Sequence, residues 1–274
     1  MNTLARLTRV EMLKFWRKPA ARLVLVLMFL GPVVGEILLV LVDPEETAVF
    51  PKVTTLLFAS EILLFVSLAT VVVAVMALGN DYELGTVRAI LTRSVDRYQF
   101  VLSKIIATVG AALANGFTYV TGGLLATTIA HSAISSVPLL EASGHDLLWR
   151  AAGVVLVIGL TGFVSAGVVM LALVLGRSSW VGMLAGLGSF LGDFYVGGWG
   201  LGMGDTEAYR YTVTYHARSL LERSFASDSA MRLSTAGWLS GDGLAEPGQA
   251  VAVLFFYGCV FTTMAIFLFR RQDL

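Results

Sequence analysis

Long apolar runs alternate with polar intervals along the 274-residue chain. A membrane-spanning helix needs about 20 mostly apolar residues. Leu23–Val42 qualifies, broken only by Glu36. Val53–Leu78 is broken only by Glu61. Phe100–Ala130 carries Lys104 near its start and Asn115 in its middle. Ala151–Leu175 has no charge, Trp180–Gly200 is glycine-rich and carries Asp193, and Ala250–Phe269 is uncharged. The pattern predicts an all-α integral membrane protein with six transmembrane helices in one domain over residues 1–274. Composition agrees. Only 14% of residues are charged and 57% are hydrophobic, against about a quarter charged in soluble domains, and the mean hydropathy is +0.80.

The polar intervals set the orientation. With the N-terminus in the cytoplasm, the inside segments hold most of the basic residues, including Arg6, Arg9, Lys14, Arg17, Lys18, Arg22, Arg88, Arg93, Arg97, Arg270 and Arg271. Of the outside residues, four (Arg210, Arg218, Arg223, Arg232) fall in one long loop, residues 197–247, which the positive-inside rule weights less. Both termini are therefore expected in the cytoplasm of a multi-pass protein of the cell membrane. No cleavable signal is expected, because basic residues run to Arg22 and the apolar run after them is full length. Balanced charge, 19 basic against 19 acidic, recruits no nucleic acid. A single cysteine, Cys259, leaves no intrachain disulfide or multi-cysteine metal site.

The first polar stretch, "MNTLARLTRVEMLKFWRKPA", mixes Leu4, Leu7, Val10, Phe15 and Trp16 with basic residues and ends near Pro19. A helix lying on the inner membrane surface suits it, although Glu11 and Lys14 fall near the Leu4–Leu7 face. The second, Asn80–Tyr98, is the one inside loop with room for structure. Leu84, Val87, Ile90 and Leu91 repeat at helical spacing, which predicts a helix with that side toward the membrane. Asp96 is placed to cap the span that follows.

These elements resemble the membrane subunit of an ABC transporter of the ABC-2 (type V) class. The resemblance rests on the basic first helix, on Glu83, Gly85-Thr86, Ala89-Ile90-Leu91, Ser94 to Arg97 and Lys104, and on the ending "FLFRRQDL". It implies an N-terminal elbow helix at 1–20, six spans, and a cytoplasmic coupling helix at 80–98 between spans two and three. It also implies an extracytoplasmic loop with short helices that dip back into the membrane. By the same resemblance, two permease subunits pair, as homodimer or heterodimer, and each docks a separate ABC ATPase subunit. ATP and Mg would bind on that partner, with no cofactor in this chain. The coupling surface is then expected at Glu83, Gly85, Thr86, Arg88 and Arg93, and the activity is export across the cytoplasmic membrane. No Gly-x-x-x-x-Gly-Lys-Ser/Thr phosphate loop occurs in the chain, so it is not expected to be catalytic by itself.

Charges inside the membrane are costly, about 2.5–3.5 kcal/mol at mid-span on insertion scales. Glu61, Glu36 and Asp193 are therefore candidates for a substrate pathway. Asn115 is read as an interhelical hydrogen bond. Gly182, Gly186, Gly188 and Gly192 form two small-x-x-x-small pairs that permit close helix packing, within a subunit or across a dimer. A membrane protease is disfavoured: Ser189 has no histidine at membrane depth, since His131, His145 and His216 fall at or beyond the outer edge. The alternative to the ABC reading is an ATP-independent channel or secondary carrier, which predicts an inverted repeat. None is evident between the halves.

Overall fold

The computed structural model describes residues 3–42, 65–91, 95–133, 144–199, 210–225 and 245–272. Among them there are helices and turns and no strand. We number the helices α1 (Thr3–Arg17), α2 (Pro19–Val42), α3 (Phe65–Glu83), α4 (Thr86–Leu91), α5 (Arg97–Ala133), α6 (Gly144–Gly176), α7 (Ser179–Trp199), α8 (Val213–Phe225) and α9 (Pro247–Arg271). Residues Val75–Gly79 of α3 are in π-helical geometry.

Four helices, α3, α5, α6 and α9, have a stretch long and apolar enough to cross a membrane. The pair α1 and α2, bent by 74° at Lys18, adds a fifth if counted as one span. α7 is a helix of 21 residues packed along α6.

Helix α5 is central, with α2, α6 and α1 against it, and α9 packs along α6. Residue pairs give the directions. Gly122 of α5 meets Phe29 and Pro32 of α2, and Gly110 meets Met12 of α1, so α2 and α5 start at the same end. Gly162 of α6 meets Ala112 of α5, and Gly186 of α7 meets Val169 of α6, so these neighbours run in opposite directions. One end of the bundle thus gathers the bend between α1 and α2, the end of α3, α4, the start of α5, the α6–α7 turn and the end of α9.

The core is built in two main layers. Toward that end, Val75, Leu78, Val87, Phe100, Ile105, Met170, Leu173 and Phe269 pack together. Toward the other end, Val66, Tyr119, Ile158, Tyr215, Leu221 and Leu254 form the second layer. Helix α8 enters here, so part of the 197–247 interval is core rather than loop.

The Asn80–Tyr98 interval is not one continuous helix. α3 runs on to Glu83, the chain turns at Leu84-Gly85, and α4 is only six residues long. Gly85 has φ +64°, a left-handed conformation that any side chain resists. Its N–H donates to the Tyr82 carbonyl, at 3.1 Å, and ends α3. Asp96 caps α5 as its spacing predicts, accepting from the Tyr98 N–H at 3.1 Å.

Candidate functional site: a buried lysine beneath an exposed turn

Lys104 lies about two turns into α5, and none of its surface is exposed. An ammonium so placed needs a partner for each of its three protons. It has three. Nζ donates to Asp81 Oδ2 at 2.5 Å, to the Ala77 carbonyl at 2.6 Å and to Glu11 Oε2 at 3.0 Å. It also stands 4.8 Å from the centre of the Phe100 ring. One side chain thereby joins α1, α3 and α5.

The surroundings extend the network. Lys14 pairs with the other oxygen of Glu11 at 2.8 Å. Lys18, at the bend, donates to the Met76 carbonyl at 2.9 Å. Met76 and Ala77 both belong to the π segment, where the regular i→i−4 ladder is displaced, and both carbonyls accept from lysines outside α3, Lys18 at the bend and Lys104 on α5. Gly79 closes the same segment against α7: a Cβ there would come within 2.5 Å of Ser179 Oγ.

Asp81 also leads outward. Its Oδ1 and its carbonyl both accept from Thr86 Oγ1, at 3.2 and 3.3 Å. The first turn of α4 is thus one hydrogen bond from the Lys104 carboxylate partner. Within this segment Val87 is buried, and Ile90 and Leu91 pack against the core layer beside it. Leu84 does not join them: it is 74% exposed, beside the exposed Glu83, Gly85 and Arg88. The left-handed turn at Gly85 rotates Leu84 off the face its spacing assigned.

The end of α9 is clamped to the same region. Arg97 donates to the carbonyls of Arg270, at 3.0 Å, and Gln272, at 2.7 Å, so a guanidinium caps the helix C-terminus. Tyr82 donates to Gln272 Oε1 at 3.2 Å, Gln272 Nε2 donates to the Val174 carbonyl, and the rings of Phe100 and Phe269 stack at 5.7 Å.

Of the residues singled out by sequence, Glu83, Gly85, Thr86 and Arg88 come together at the turn. Arg93 and Glu61 lie outside the described residues, and Glu36 falls on α2. Asp193 sits at the other end of the bundle. Its carboxylate accepts from the Val213 N–H (2.7 Å), the Thr214 N–H (2.8 Å) and the Thr214 hydroxyl (2.5 Å), so it caps α8 from a different helix. The glycines divide. Gly182 meets Leu173, and a Cβ on Gly186 would approach Val71 and Val169 to 2.7 Å. Gly188 and Gly192 have open space before them. Asn115 is fully buried, and neither amide atom has a hydrogen-bond partner.

Sequence reasoning missed Leu84 as a surface residue and missed Glu11 and Asp81 as partners of Lys104. A signal existed for Glu11: it falls on the apolar face of a basic helix, with Leu4, Leu7 and Phe15, where a solvated acid has no reason to be.

Long apolar helices packed in this way define a multi-pass, all-helical membrane protein. Residues 7–192 match the family model described as "ABC-2 family transporter protein". The match covers more than half of the chain, and the protein belongs to the ABC-2 transporter family, as a permease component of an ABC transporter. A comparison with curated proteins finds no match.

Proposed function

We propose that this chain is the permease subunit of an ATP-driven exporter, energised by a separate ABC ATPase and working as one of a pair of permease subunits. In this reading α1 is the interfacial elbow, the chain spans the membrane six times with α7 as the fifth span, and both termini face the cytoplasm. ATP and Mg act on the partner. The observation that carries the reading is the turn at Glu83–Arg88. An exposed leucine between an acid and a base, on a segment whose other apolar residues are buried, suits docking into a groove on another protein.

The route inward supports the same reading. Thrust on the turn reaches Asp81 through Thr86, and Lys104 passes it to α1 and α5 together. Closure of an ATPase pair would then move elbow and spans as one body. Among the exposed apolar faces, the reading assigns two to the second subunit: Leu23, Leu27 and Leu30 on α2, and the Gly188–Gly192 side of α7 with Leu184 and Leu191. Glu61 and Glu36 remain proposed for the pathway, with Asp193 at its outer end.

The test is co-purification of the detergent-solubilised chain with an ATPase subunit, wild type against Glu83→Lys with Arg88→Glu. Loss of a wild-type ATPase in the charge-reversed variant, with unchanged thermal stability, supports the dock. A folded wild type that brings down no ATPase removes the motor and favours the channel or carrier.

A further inference from the structure

A cavity of about 240 Å³ opens between α3, α6, α7, α8 and α9 at the end of the bundle away from Lys104. It is near the lower limit of the roughly 300–1,000 Å³ typical of ligand pockets, so it fits a headgroup or a small molecule. Val164, Val168, Phe190 and Phe261 supply apolar wall, and among the described residues no lysine, arginine or histidine lines it.

Its polar atoms are biased toward accepting. Thr161 donates its hydroxyl hydrogen to the Val157 carbonyl at 2.9 Å, Ser189 to Gly186 at 3.0 Å, and Tyr257 to Tyr211 at 3.0 Å. Their remaining lone pairs accept. Ser67 and Ser165 add hydroxyls that can turn either way. The amides at the start of α8 would ordinarily receive an anion, but Asp193 already occupies them. That helix end offsets about half of the Asp193 charge, and Asp193 lines the cavity with the remainder. An anionic ligand would meet a carboxylate and few donors. A protonated amine would meet acceptors and residual negative charge, with Tyr211 and Tyr257 also lining the cavity.

We infer that this cavity binds the ammonium head of an amphipathic amine, with its apolar portion on the Val164–Phe261 side. Resting on the permease reading, the inference names amphipathic amines as the substrate class.

The experiment uses the full chain in lipid nanodiscs without ATPase, and dansylcadaverine as the probe. Saturable fluorescence enhancement is expected, displaced by hexylamine and not by hexanoate. Ser165→Leu, which fills the cavity, should weaken binding at least tenfold. Ser189→Ala, which removes an acceptor at an accessible position and adds no volume, should weaken it about threefold. Leu175→Ala, exposed near the opposite end of α6, should leave it unchanged. Equal displacement by hexanoate, or unaltered binding in Ser189→Ala and in a folded Ser165→Leu, overturns the proposal. The co-purification test stays separate. Probe binding without an ATPase keeps the pocket and rejects the motor, whereas an ATPase without probe binding keeps the permease and rejects the amine site.

Discussion

Lys104 and Asp81 meet at 2.5 Å with the lysine wholly buried, and Glu11 completes the contact from a third helix. Removing one member of a buried ion pair leaves the other uncompensated, at about 3–5 kcal/mol. Lys104→Met should therefore lower the melting temperature in detergent sharply, because Asp81 loses its cation and Glu11 keeps only the part-exposed Lys14. Adding Asp81→Leu and Glu11→Leu should recover much of the loss. A triple variant no more stable than Lys104→Met would show that the carboxylates are solvated without the lysine.

Leu84 is exposed and supports nothing within the chain. Leu84→Asp is expected to change folding stability by no more than about 0.5 kcal/mol, yet to abolish ATPase co-purification. Val87→Asp, at a buried position three residues on, should instead destabilise the fold. Retained ATPase binding in Leu84→Asp would remove the leucine from the dock.

Two left-handed residues predict opposite signs. Gly85 has φ +64° and Arg177, between α6 and α7, has φ +50°. A side chain in this region costs about 1–2 kcal/mol. Gly85→Ala should destabilise by about that amount and weaken ATPase coupling. Arg177→Gly should relieve strain and raise the melting temperature slightly. The result against this is a lower melting temperature for Arg177→Gly, which would make the arginine side chain worth more than its backbone strain.

His216 is buried on α8, its Nδ1 without a partner. Burial pushes its pKa below the usual 6.5, against weaker upward pulls from the Arg210 backbone and Asp193. The fold therefore holds the neutral ring. Above pH 6.5 the residue adds no pH dependence. As pH falls below that, the unfolded chain takes the proton first, and stability drops until the folded value is passed. His216→Gln should melt with a shallower loss than wild type as pH falls below 6.5. Parallel curves for the two would assign the acid sensitivity elsewhere.

The helical class and its apolar spans were legible because twenty-residue runs leave few alternatives. The cap at Asp96 was legible because it depends on neighbours in sequence. What depends on phase was not. Leu84 shares helical spacing with Val87 and Ile90, but one positive φ at Gly85 separates them. Gly182-Gly186 and Gly188-Gly192 have the same spacing, yet only the first pair faces α6. Asp193 reads as a lone charge in a span, and its partners are twenty residues further along. Lys104 was visible as a charge, but its two acids come from separate helices, and pairing across helices has no signature in a single sequence.

The π segment Val75–Gly79 makes the direction of Asp81 a matter of counting. A π turn holds about one residue more than an α turn, and each residue of an α-helix advances about 100°. Deleting one residue between Val75 and Gly79 would restore regular winding and turn Asn80–Glu83 by about that angle relative to the rest of α3. Asp81 would then point away from Lys104, Tyr82 away from Gln272, and the Glu83–Arg88 turn would leave on another bearing. A single surplus residue in the winding of α3 is the compass by which the bundle aims its exposed Glu83–Arg88 turn.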